Sequence, residues 1–213
     1  MVLSWYTKAR WNKSQRRSRY KKYNKSYPTV ARLSKEVKAL KTLINVEKKH
    51  YDKNLAQAPD TTGGLSHLTS IPQGDDYDER EGRSVRLKSM FVRGDVLMHA
   101  SATSTICRVI WFQWNDDTAP TVTDILENAN VHSPLNLDKS TKSRILRDRT
   151  FNLTTDSPQK MCKLYVRRNN HCKFDGTTGA DYERGSLWVM YISDQATNTP
   201  TVTLRHRTRY IDN

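Results

Sequence analysis

Two periodicities divide the chain. Between residues 29 and 51 the apolar positions Val30, Leu33, Val37, Leu40 and Ile44 recur at alternating spacings of three and four, which aligns them along one side of a helix. Lys35, Lys38, Lys41, Lys48 and Lys49 fall elsewhere on that helix, and Pro28 marks its start. A lone amphipathic helix is marginal in water and has to bury its stripe, either against copies of itself or against the rest of the chain. The pattern predicts helix over 29–53 and, because AQAPDTTGG (56–64) has no period and carries Pro59, Gly63 and Gly64, a linker over 54–64.

From Leu65 onward the period is two. Val85, Leu87 and Phe91 alternate with Arg86 and Lys88, and Cys162, Leu164 and Val166 alternate with Lys163, Tyr165 and Arg167. Val202 and Leu204 alternate with Arg205, Arg207 and Arg209. ICRVIWFQW (106–114) and LWVMYI (187–192) are almost continuously apolar, as in strands covered on both faces. Adding 65–71, 96–102 and 144–153 makes about eight strands with turn-rich joins. TVTDILENAN (121–130) reads as a helical insertion, with Thr121 and Asp124 at capping-box spacing. The fold class expected for 65–213 is all-β, a single sandwich or jelly roll of eight strands.

Charge changes the picture at one end. Residues 1–53 hold 16 Lys+Arg and three acids, a net of +13, whereas 54–213 are nearly balanced at +1. Within residues 1–28 lie Lys8, Arg10, Lys13, Arg16, Arg17, Arg19, Lys21, Lys22 and Lys25, with no acid and with Trp11, Tyr20, Tyr23 and Tyr27 interleaved. Such a stretch cannot form a core of its own and is expected to be disordered. Phosphates supply its counter-charge, and unpaired bases can stack on its rings. A nucleic-acid-binding arm is therefore expected, and the same residues would serve nuclear import.

Candidate chemistry is sparse. No GxGxxG, P-loop, HExxH or GxSxG is present, so no enzyme is expected. Cys107, Cys162 and Cys172 have neither an even count nor zinc-ligand spacing, which favours reduced, packed thiols; His171 beside Cys172 reads as packing too. No apolar run is long enough to span a bilayer, so no membrane partner is expected.

IPQGDDYDEREGRSVRL (71–87) resembles a signature of the satellite tobacco necrosis virus-like coat proteins, a body type shared with capsid proteins of small circular single-stranded DNA viruses. FVRGDV (91–96), RVIWFQWND (108–116), APTVTDILENANVHSPLN (119–136), SRILRDRTFNL (143–153) and RYID (209–212) resemble further blocks in the same order. The resemblance implies a viral-capsid jelly roll, sixty copies in a closed T=1 shell, and a virion whose single-stranded genome is held by the inward arm. The Arg/Lys/Tyr-rich arm looks more like the DNA-virus arms than the RNA-satellite ones, which adds a nuclear stage during assembly. The helix stripe would then pair with copies of itself. No cofactor is required, but the resemblance also implies calcium at subunit contacts, held by Asp75, Glu81, Ser84 and Asp212, with Arg80 or Arg83 as the alternative neutralisers. A competing expectation is a non-assembling nucleic-acid-binding protein whose body adds a basic face, with Arg205, Arg207 and Arg209 as its stripe.

Overall fold

The computed structural model describes residues 30–43 and 48–212, the side chains of 41–43 excepted. Two units are present, 1–45 and 46–213. In the first, helix α1 (Val30–Leu43) is formed as the spacing predicts, and Val30, Leu33, Val37 and Leu40 along its stripe are exposed. Arg32 and Glu36, one turn apart, form an ion pair on its surface. Ile44 and the nine arm residues from Lys8 to Lys25 lie outside the described residues.

The second unit is built from strands β1 (Lys48–Gln57), β2 (Gly64–His67), β3 (Ser84–Leu97), β4 (Ser104–Trp114), β5 (Ser143–Thr154), β6 (Gln159–Phe174), β7 (Tyr182–Arg184), β8 (Ser186–Ser193) and β9 (Thr201–Asp212), with a one-turn helix α2 (Val122–Ile125). One sheet runs β1-β9-β3-β6-β7 and the other β2-β8-β4-β5. Setting aside the short β7, each sheet has four antiparallel strands, and strands joined in sequence repeatedly lie in opposite sheets. That order is a jelly roll, as expected.

Alternation along the strands makes the core. Val85, Leu87, Met90 and Val92 of β3 and Val202, Leu204 and Tyr210 of β9 face Cys107, Val109 and Trp111 of β4 and Leu187, Val189 and Tyr191 of β8. The opposite face of β4 and β8, carrying Ile110, Phe112, Trp114, Trp188, Met190 and Ile192, is covered by Ile125, Leu126 and Val131 of the insertion. Both strands are thus apolar on both sides, which accounts for their unbroken hydrophobic runs.

Three boundaries differ from expectation. Residues 48–57, read as helix end and linker, form β1, paired antiparallel with β9 from Lys48↔Ile211 to Gln57↔Val202. KKHYDKNLAQ has one aliphatic side chain besides its alanine, so its own period is mute; the hydrogen-bonding edge of β9 decides its conformation. The connection to β2 shortens to 58–63. In the other direction, 96–102 is no separate strand, because β3 continues through Gly94 to Leu97. Gly94 sits against the Thr203 carbonyl where a Cβ would overlap it, so β3 and β9 approach closely there. The expected count of eight therefore came from one strand too many at 96–102 and one missed at 48–57. Finally, the insertion is helical only over Val122–Ile125: the Asp124 carboxylate accepts from the Thr121 N–H and hydroxyl at 2.9 and 2.7 Å, but Leu126 is already extended and bridges Leu135.

Candidate nucleic-acid interface and carboxylate cluster

The loop between β2 and β3 is organised by Arg80. Its side chain is wholly buried, lies 4.1 Å over the Phe174 ring, and donates to three carbonyls: Ile71 from Nε at 3.1 Å, Gly82 from Nη1 at 2.7 Å and Gly176 from Nη2 at 2.5 Å. Burial pulls its pKa down from the ordinary arginine value, more strongly than the nearby Asp212 and Asp181 carboxylates raise it. Arg80 is therefore a structural clamp between two loops, and among the described residues no ion pair joins it to the acidic run around it.

Neutralisation falls instead to a residue the sequence placed on the helix. The buried Lys49 ammonium lies 3.4 Å from Glu81 Oε1 and 3.7 Å from Asp212 Oδ2, while the Glu81 N–H donates to Asp212 Oδ2 at 2.6 Å. Pairing of β1 with β9 brings Lys49 there; no local pattern could have announced it. Of the four expected metal ligands, Glu81 and Asp212 do come together. Ser84 shares a hydrogen bond with His171 Nδ1 at 3.3 Å, and Asp75 is exposed in the loop. Among the described residues no three His, Cys, Asp or Glu side chains converge to hold a metal. Within one chain the donor set thus does not fit a calcium ion, because an ammonium already stands between its two closest carboxylates.

The outward face of the first sheet carries the basic stripe of β9, and the register extends it. Arg205 lies opposite Asn54 on one side and Arg93 on the other, and Arg93 lies opposite Lys163. One row along, Asp52, Arg207, Phe91 and Tyr165 stand side by side; the next holds His50, Arg209, Ser89 and Arg167. Asp52 accepts a two-pronged bond from Arg207, 2.7 Å from Nε and 2.5 Å from Nη2, which holds its carboxyl below the usual range. Sequence reasoning found the β9 stripe but missed Arg93 and Lys163. Their outward positions in β3 and β6 were legible; their adjacency to β9 was not.

A jelly roll of eight principal strands, preceded in sequence by a polycation and an amphipathic helix, is an architecture found in viral shell proteins. The family model of the satellite tobacco necrosis virus coat protein matches residues 18–213, and the chain belongs to that family. It is 28% identical over 176 residues to the capsid protein of Satellite tobacco necrosis virus 1, covering 76% of this chain and 87% of that one. Among solved structures, that of Red Clover Necrotic Mosaic Virus aligns with a TM-score of 0.36 at 11% identity, over 73% of this chain and 52% of that one. The top component of Cowpea mosaic virus gives 0.33 at 10% identity, over 74% and 84%. The protein is accordingly a viral coat protein, a structural component of the virion.

Proposed function

We propose that sixty copies of this chain close into a T=1 shell, and that residues 1–28 package a single-stranded genome inside it. The observation that carries the reading is the segregation of charge: a net of +13 over residues 1–53 against +1 over the remaining 160. The nine cations of the arm, free of acids and interleaved with aromatic rings, match a flexible polyanion with unpaired bases. The exposed stripe Val30, Leu33, Val37 and Leu40 supports self-association of α1 with copies from neighbouring subunits, which would also draw the arms together. The resemblance of the arm to those of the DNA viruses favours a DNA genome, for which its basic clusters would serve nuclear import before assembly. Calcium is not needed for this reading, since Lys49 supplies the positive charge between Glu81 and Asp212.

Expression followed by sedimentation and electron microscopy tests the assembly. Closed, uniform shells are expected, and a discrete monomer under all solution conditions would overturn it. Deleting residues 1–28 tests the packaging: shells or folded subunits without nucleic acid are expected. Undiminished packaging by the truncated chain would remove the arm from this role.

A further inference from the structure

We infer that the outward face of the β1-β9-β3-β6 sheet is a second binding platform for single-stranded nucleic acid, separate from the arm and centred on Arg93, Lys163 and Arg205. The inference rests on the packaging reading above and adds a site within the folded body.

Six exposed cations line the central rows of this face: Arg93, Lys163, Arg167, Arg205, Arg207 and Arg209. Two carboxylates accompany them. Asp52 is taken up by Arg207, and Asp95 accepts from the Gln159 amide at 2.8 Å. Among the described residues no ion pair engages the other five cations. Most telling is the row Arg205–Arg93–Lys163, three like charges directly opposite one another across three hydrogen-bonded strands. Like charges in directly opposed positions destabilise a sheet, so folding alone does not favour this arrangement. A polyanion lying across the row converts the repulsion into attraction and releases its own condensed counter-ions. The body is nearly balanced in charge, +1 over residues 54–213, which makes the concentration on one face more pronounced.

The second component is aromatic. Tyr165 is 54% exposed and stands opposite the partly exposed Phe91, in the row next to the three cations. Together with Arg93, Arg205, Arg207 and Arg209 these two rings line a shallow depression of about 580 Å³. Flat rings beside a row of phosphate-binding cations are how single strands are held without sequence reading: bases stack and phosphates track the charge. An acidic protein segment would use the cations but would leave the two rings without a stacking partner, so the occupant is nucleic acid.

The test uses the full-length chain and a labelled oligothymidylate of about 30 nucleotides, with binding followed by fluorescence anisotropy across a salt series. In the variant Arg93→Gln/Lys163→Gln/Arg205→Gln, loss of three phosphate contacts lowers the slope of log affinity against log salt by about 2, a loss of about a hundredfold near 0.1 M salt. The variant should melt no lower than the parent, since the substitutions relieve repulsion. Independently, a bromodeoxyuridine-substituted oligonucleotide should photo-cross-link to Tyr165 or Phe91 in the unaltered chain, mapped by mass spectrometry, and Tyr165→Ala should weaken binding about tenfold. An unchanged salt slope in a folded triple variant overturns the inference, as does unchanged binding accompanied by lost assembly, which would assign the face to a contact between copies. If the triple variant fails to fold, cross-links confined to residues 1–28 overturn it instead. A parent chain that binds no oligonucleotide even at low salt defeats the packaging reading as well, whereas a parent that binds and a variant that binds equally defeat only the platform.

Discussion

His206 makes the folded subunit sensitive to mild acid. It points inward from β9, 3% exposed, with Nε2 sharing a hydrogen bond with Thr208 Oγ1 at 3.2 Å and Nδ1 left without a partner among the described residues. Desolvation holds its pKa at about 3, against an ordinary 6.5; Asp52 pulls upward and Lys53 downward, each more weakly than burial. Because the folded value is the lower one, the native state keeps this ring neutral while the unfolded chain takes up a proton below pH 6.5. Stability is therefore complete above pH 6.5 and declines as pH falls toward about 3, by about 1.4 kcal/mol per pH unit. At about pH 5 the loss from this residue alone is about 2 kcal/mol. His67, stacked on Trp188 at 4.8 Å and likewise held at about 3 by burial, acts in the same direction. The interval from pH 6.5 to about 5 isolates these histidines, because Asp52, Asp60, Asp116 and Asp181 are all lowered and enter only in stronger acid. Replacing His206 by phenylalanine keeps the space filled and removes the proton uptake. Urea unfolding of unassembled subunits, followed by tryptophan fluorescence at several pH values in this interval, should give a stability slope flatter in His206→Phe than in the parent by about 1.4 kcal/mol per pH unit. Equal slopes in the two proteins would refute the reasoning.

Three further outcomes are expected. Arg80→Met removes a cation from three carbonyls and from the Phe174 ring; it should cost about 3 kcal/mol and lower the melting temperature by roughly 6–12 °C, with Arg80→Lys recovering only part because one ammonium cannot reach all three carbonyls. Lys49→Met leaves the 92%-buried Asp212 side chain with the Glu81 N–H as its remaining donor and should destabilise by about 3 kcal/mol in urea titrations; adding Asp212→Asn should restore most of this, and chelators should leave the parent's melting unchanged. Burial pushes the Cys107 and Cys172 thiols up to about 12 and raises Cys162 as well, so a thiol-specific chromogenic disulfide should label none of the three in the native chain and all three after denaturation.

What the chain's own pattern determined is whatever depends on neighbours in sequence. The 3–4 spacing of Val30 to Leu40 is enough to specify a helix, the alternation in β3, β6 and β9 a set of half-buried strands, and the unbroken runs of β4 and β8 a doubly covered pair. The division into a polycation and a neutral body is equally a property of the linear sequence. Tertiary structure decided what depends on partners. Residues 48–57 have too few aliphatic side chains to declare a strand and become one only against the edge of β9. That pairing lifts Lys49 out of the helix's polar face and inserts it between Glu81 and Asp212, which are 131 residues apart. Arg80 reads as one more loop charge until the loops around it close and leave it buried. The row Arg205–Arg93–Lys163 likewise exists only because β9, β3 and β6 are neighbours in the sheet. Periodicity is set by the geometry of a single element, whereas charge pairing and charge crowding are set by distances between elements that only packing determines.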